Sequence, residues 1–141
     1  RAWAPAAVKV LGRVMMVATT QTVLSAERID HRAPWPAAVA PDATAAYGEH
    51  LATTAGCRSC HRRDLSGGAG PPPGGANLTR EGDIKGWSES DFVRAMRTHR
   101  RPDGSELAAA MPTGYAAMTD LELSAIWQYL QSAAPIPQAR R

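Results

Sequence analysis

The stretch Cys57-Arg58-Ser59-Cys60-His61 holds both cysteines of the chain and the histidine that directly follows them. Two thiols at this spacing can each add across one vinyl group of a haem, and the next imidazole is then held against the iron as its proximal ligand. The pattern therefore reads as a covalent c-type haem site, with Cys57 and Cys60 as thioether anchors and His61 as an axial ligand. The same residues admit two other readings. A redox-active dithiol expects a thioredoxin-like alternation of strands and helices, and this chain has few β-branched alternating runs. A structural zinc site needs four ligands, usually supplied as two such pairs. No second pair exists, so His61 would have to be joined by a distant His50 or His99. One covalent haem c is the reading these residues favour.

Such a site needs elements to hold it. Upstream, Asp42 can cap a helix from Ala43 to about Thr54, with Tyr47 and Leu51 on one face, that delivers the chain to Cys57. Gly48 inside that helix costs about 1 kcal/mol relative to alanine, and a close crossing with another helix is the natural compensation. His50 falls on another face and is expected to be exposed. Downstream, Ser66 to Gly75 is rich in glycine and proline and cannot be regular helix. A ligating imidazole usually donates its second ring proton to a backbone carbonyl. A rigid proline segment on the proximal side would supply that carbonyl, from Pro71 or Pro72.

Two further helices are written in capping signals. Ser88 with Asp91 opens one that runs to about Thr98, its apolar side made by Phe92, Ala95 and Met96, before a turn at Arg101-Pro102-Asp103-Gly104. Thr119 with Glu122 opens the other, with Leu123, Ile126, Trp127, Tyr129 and Leu130 recurring as an amphipathic helix that stops before Pro135. Met111-Pro112 lies in the loop just ahead of it, where a methionine sulfur can project into a cleft instead of a helix interface. Met118 directly precedes the cap, a position that commonly packs against the helix start.

Composition sets the bounds. The chain has 141 residues and a formal net charge of +3, room for one compact domain and an arm. A haem filling the core lets such a domain be small. An alanine-rich sequence with glycine and proline gathered between periodic segments predicts an all-α fold with long irregular loops. Arg94, Arg97, Arg100 and Arg101 concentrate positive charge that could steer an acidic partner; a solvated helix face is the alternative. No nucleic-acid motif accompanies them, so nucleic acid is not expected as a partner.

The first 41 residues read as a separate arm. Val8, Leu11, Met15 and Ala18 recur at helical spacing and form one apolar stripe, while Lys9 and Arg13 interrupt the apolar run. That run falls short of the roughly 20 apolar residues of a membrane span, so docking on a partner subunit, a missing domain or a membrane surface is expected. The segment from Glu27 to Pro41 is a proline-bearing linker. Because the chain starts at Arg1, a trimmed product or a piece of a longer chain is expected. The organisation is then an arm and linker over residues 1–41, a haem domain over 42–134 and a tail over 135–141.

From Tyr47 to Leu130 the chain resembles a mono-haem c-type cytochrome domain. The resemblance rests on Tyr47-Gly48, the Cys57-x-x-Cys60-His61 motif, the glycine and proline loop, Asn77-Leu78-Thr79, Gly86-Trp87-Ser88 with Asp91-Phe92, Asp103-Gly104, Met111-Pro112 and Trp127-x-Tyr129-Leu130. It is similar to the cytochrome subunits and domains that take electrons from periplasmic dehydrogenases and pass them to an oxidase or another membrane complex. The resemblance implies a small class I-like helical fold around one haem. It also implies Met111 as the distal iron ligand, with Met118 the less favoured candidate, Tyr47 and Gly48 crossing the terminal helix near Tyr129, and Asn77 and Trp87 close to the haem propionates. With imidazole and thioether filling both axial positions, one-electron transfer follows and no site is left for substrate, so the chain is expected to be an electron carrier and not itself an enzyme. A haem sensor or peroxidase with an open distal site is the alternative. Covalent haem attachment is completed outside the cytoplasmic membrane, so a periplasmic or equivalent location is implied.

Overall fold

The computed structural model describes residues 30, 32–34, 37–68 and 74–137. By packing, the chain divides into two units, Arg1–Ala37 and Ala38–Arg141. In the first, Ala33 N donates to Asp30 O at 3.1 Å and Arg32 N to Asp30 Oδ1 at 2.9 Å, forming a short turn ahead of Pro34. The expected stripe of Val8, Leu11, Met15 and Ala18 lies outside the described residues, as do His31 and Trp35.

The second unit is helical. Its elements are α1 (Ala45–Thr54), α2 (Cys57–His61), α3 (Glu89–Thr98), a 3-10 turn (Thr113–Ala117) and α4 (Asp120–Ser132). Among the described residues the only β pairing is an isolated bridge between Arg100 and Glu106. No described helix is long and apolar enough to cross a membrane.

Helix starts follow the sequence signals with one exception. Ser88 accepts from Asp91 N while the Asp91 carboxylate accepts from Ser88 N, and Thr119 and Glu122 make the same reciprocal pair. Each box satisfies two amides that would otherwise lack partners at a helix end. The exception is α1, which is capped not by Asp42 but by Thr44, whose Oγ1 accepts from Tyr47 N at 3.3 Å. Asp42 spends its carboxylate on the adjacent Ala43 N at 2.7 Å. Both residue types cap well, and the two candidates are only two positions apart.

The core is where α1 and α3 meet α4. Leu123, Ile126, Trp127 and Leu130 form the buried stripe of α4, joined by Ala52, Leu65, Ile84 and Phe92. Phe92 and Trp127 pack ring to ring at 5.7 Å, a separation at which tilted aromatic pairs attract beyond their buried area. Gly48 explains how α1 approaches α4. A Cβ there would lie 1.9 Å from Ala125 O and 2.8 Å from Tyr129 Cβ, so only glycine allows the two backbones to touch. Just past α4 the chain is fastened at Ile136. Ile136 N donates to Thr79 Oγ1 at 3.2 Å, and Ile136 O accepts from Asn77 Nδ2 at 2.8 Å.

Candidate haem site

A glycine turn separates α1 from α2, so the helix that presses on α4 also sets where Cys57 begins. Gly56, in a left-handed conformation (φ 79), gives α2 its sharp start. Five residues cannot sustain a helix by themselves, and α2 is held by what wraps it. Its end carbonyls are taken up by the loop that follows: Gly67 N donates to His61 O at 3.0 Å and Gly75 N to Cys60 O at 2.8 Å. The two arms of that loop join through Gly68 N to Gly75 O at 3.0 Å and Leu78 N to Leu65 O at 2.8 Å. Leu65 anchors the loop with its side chain wholly inside the core, in a left-handed conformation (φ 64) that a leucine adopts only when packing enforces it.

His61 is buried at 7% exposure, and its Nδ1 lies 2.7 Å from Ala76 O. A carbonyl only accepts, so the ring proton sits on Nδ1 and Nε2 carries the free lone pair. The acceptor is thus Ala76. Pro71 and Pro72 themselves lie outside the described residues, and the expectation that one of them would take the Nδ1 proton is corrected. The chain reaches the ring on the return arm of the loop, after the prolines, where Gly75 lets the backbone come in. A Cβ on Gly75 would lie 2.5 Å from His61 Nδ1. Among the described residues Nε2 has no hydrogen-bond partner. A fixed imidazole with a free lone pair is what an axial iron ligand requires.

Cys57 and Cys60 are both free thiols and half-buried. Burial pushes the Cys57 thiol above its ordinary value, with the neighbouring Cys60 adding to the shift and a backbone hydrogen bond opposing it. A redox-active dithiol needs the opposite, a depressed pKa that makes thiolate. Among the described residues no group of three or more His, Cys, Asp or Glu side chains is assembled that could hold a metal ion, so the zinc reading lacks its ligands. The donor set fits covalent haem: two cysteines in no disulfide and one oriented imidazole.

Residues around the motif add constraints that the sequence reading missed. Arg58 donates through Nε to Tyr129 Oη at 3.2 Å, bonds the same hydroxyl through its second nitrogen, and pairs with Glu49 at 2.7 Å. The guanidinium also lies 5.4 Å from the centre of the Tyr129 ring. These contacts tie α2 to both α1 and α4, and the hydrogen bonds to Tyr129 and Glu49 push the guanidinium pKa up further. The signal available in the sequence was a charge inside the motif, without its partner. Tyr115 donates to Ala55 O at 2.7 Å, two residues ahead of Cys57. Burial, and then the two cysteines, raise the Tyr115 pKa above its ordinary value. The segment just past Met111 is thereby roped to the start of the motif.

The methionines separate by their surroundings. Met96 and Met118 both pack against the core, whereas Met111 is half-buried and is not part of that packing. Asn77 and Trp87 differ as well. Asn77 is buried and its amide is committed: Oδ1 accepts from Thr79 N at 2.9 Å and Thr79 Oγ1 at 2.8 Å, while Nδ2 donates to Ile136 O. Asn77 thereby fastens the segment at Ile136, with one of its two amide hydrogens used in that bond. Trp87 is half-buried, and among the described residues its indole N–H has no partner. Three of the four clustered arginines are paired with carboxylates, and the fourth is bonded to a backbone carbonyl. Arg94 pairs with Asp91 at 2.5 Å, Arg97 with Asp120 at 2.7 Å and Arg100 with Glu106 at 2.9 Å, and Arg101 donates to Glu106 O at 2.6 Å. His50 is exposed as expected, although its ring stacks on Tyr47 at 6.3 Å.

A family model described as cytochrome c matches residues 45–134, from the first residue of α1 to just past α4. The chain belongs to the cytochrome c family. Among curated proteins it is similar to a nicotinate dehydrogenase subunit from Pseudomonas putida, strain KT2440, with 30% identity over 127 residues. That match takes in 74% of this chain but 11% of the relative, so the chain spans about a tenth of that protein's length. No solved structure matches it. As a cytochrome c domain whose Cys57 and Cys60 form no disulfide and are followed by an oriented histidine, the protein carries one covalent haem c, has an all-α fold and serves electron transport through that haem.

Proposed function

We propose that this cytochrome is the electron-relay domain of a larger oxidoreductase assembly, with Met111 as the distal iron ligand opposite His61. The observation that carries the ligand assignment is the sorting of the methionines: Met96 and Met118 are spent on core packing and Met111 is not. The tie from Tyr115 to Ala55 supports it, because it holds the Met111 segment beside the residues that start the motif. When bound, the haem would supply a one-electron couple, and His61 and Met111 would be the side chains that hold its iron.

Each protein group then has a separate task. Cys57 and Cys60 fix the haem in place, and His61 is kept in one tautomer and one orientation by Ala76. A Met111 thioether opposite that imidazole would favour ferrous iron, raise the potential and close the second axial position. The free indole N–H of Trp87 is the donor offered to a propionate. Similarity to a dehydrogenase subunit supports a redox enzyme as electron donor; an oxidase or other membrane complex would be the acceptor, in a periplasmic or equivalent compartment. The arm over residues 1–41 would attach the domain to that assembly.

Carbon monoxide tests the ligand set. The reduced native protein is expected to ignore it, while Met111→Ala should bind it and show a lower midpoint potential. Binding of carbon monoxide by the untreated native protein would instead establish the open distal site of a sensor or peroxidase.

A further inference from the structure

His99 occupies an unusual place for a histidine. It caps α3 in the left-handed conformation (φ 57), where glycine is normally used because a Cβ is sterically penalised. Its backbone and its ring are both engaged. The backbone N–H donates to Ala95 O at 2.9 Å and the carbonyl accepts from Leu107 N at 2.9 Å. Ring Nε2 lies 3.0 Å from Met111 O, and since a carbonyl only accepts, Nε2–H is the donor.

The intervening residues form a self-contained excursion. Arg101 N donates to Ser105 O at 2.8 Å and Gly104 N to Arg101 O at 2.9 Å, and Arg100 bridges to Glu106. His99 closes the base of this excursion and reaches across it to Met111. Downstream, Arg97 donates to Ala116 O and Met118 O and pairs with Asp120, which fixes the far side of the loop. Between these supports, over residues 108–112, the bond from His99 is the one side-chain hydrogen bond among the described residues that reaches the segment. The backbone bond from Met111 N to Ala108 O at 2.8 Å is internal to it.

We propose that His99 is a positioning residue for Met111: its ring holds the Met111 backbone to the end of α3, so that the sulfur stays on the iron and resists displacement by outside ligands. The inference rests on Met111 being the distal ligand. It acts through the backbone of Met111 and does not require His99 to touch the haem.

The test uses the full-length, haem-loaded protein in its oxidised form, titrated with imidazole while the methionine-to-iron charge-transfer band is followed. His99→Leu removes the donor and should tighten imidazole binding roughly three- to tenfold, the population shift expected from one lost hydrogen bond. His99→Gln, which can place an amide N–H near the same point, should stay close to the native affinity. Should His99→Leu fail to mature, His99→Asn serves in its place. Asparagine tolerates the left-handed conformation but is too short to reach Met111 O, so it should behave as a loss of the donor. Thr44→Ala weakens the cap of α1 far from the loop; it should lower thermal stability and leave imidazole affinity unchanged. Native affinity in the donor-less variant, or an equal shift in Thr44→Ala, overturns the role of His99. Survival of the charge-transfer band in Met111→Ala overturns the ligand assignment itself, and the role of His99 with it.

Discussion

Replacing Gly48 with alanine separates helix propensity from helix packing, because the two effects have opposite signs. In an isolated helix the change should be favourable by about 1 kcal/mol. In this fold the new Cβ would stand 1.9 Å from Ala125 O and 2.5 Å from Ala125 C, both backbone atoms of α4. Ordinary contact begins near 3.4 Å, so α1 and α4 must part by about 1.5 Å at the crossing. No side-chain rotation can relieve a clash with main chain. Overpacking of this kind costs about 1–3 kcal/mol, and a clash with two main-chain atoms belongs at the upper end, leaving a net loss of about 2 kcal/mol after the propensity gain. The separation also pulls Tyr129 and Glu49 away from Arg58, loosening the contacts that fasten α2. Urea unfolding of the haem-loaded protein gives the magnitude, and Gly114→Ala is the control. A Cβ on Gly114 meets nothing within 4 Å and its φ is not left-handed, so that variant should be neutral or slightly more stable. If Gly48→Ala is as stable as the native protein, the close crossing of α1 and α4 is refuted.

Other perturbations follow from the same contacts. Gly75→Ala would place a Cβ 2.5 Å from His61 Nδ1; the bond to Ala76 should be lost and the midpoint potential should move, whereas an unchanged redox titration would show that the backbone does not abut the ring. The capping carboxylates predict an acid limb of stability. Asp91 and Glu122 are held below their ordinary pKa, chiefly by the backbone N–H groups of Ser88 and Thr119 respectively, with the side-chain hydroxyls of the same two residues helping. Because the folded pKa is the lower one, their contribution is complete above the unfolded carboxylate range, about pH 4, and disappears as pH falls through the folded value. Tm should therefore drop on acidification through that range, with a shallower drop in Asp91→Asn and Glu122→Gln; equal slopes in all three proteins would remove the caps from the account. Thr119→Ala should cost about 1 kcal/mol in thermal unfolding, and no loss would mean that the start of α4 does not depend on its cap.

What the sequence disclosed and what it concealed divide by the range of the interactions. The boxes Ser88–Asp91 and Thr119–Glu122 were legible because both partners lie within one helical turn. The buried stripe of α4 was legible because burial imposes a 3.6-residue period. Gly48 announced a close crossing, since a helix-weakening residue needs some compensating contact, and the resemblance supplied the partner helix. Cys57, Cys60 and His61 were legible because haem attachment demands fixed spacing. Concealed were the contacts between residues far apart in the chain. The His61 acceptor lies at Ala76, 15 residues on, where the return arm of the loop meets the ring. The bond from Asn77 to Ile136 spans 59 residues and has no local signal. Among the acidic partners of the clustered arginines only Asp120, 23 residues from Arg97, lay beyond local reach in the sequence. For α1 even the local signal was divided, as Asp42 and Thr44 are both competent caps.

The central claim is that this chain carries one haem bonded to Cys57 and Cys60. Intact mass of the protein matured in a haem-attaching host, measured after denaturation and followed by a thiol titration, tests it directly. The prediction is a chain heavier by one haem, with no titratable thiol and a redox titration that fits a single one-electron centre. A denatured chain of unmodified mass with two titratable thiols would contradict the account.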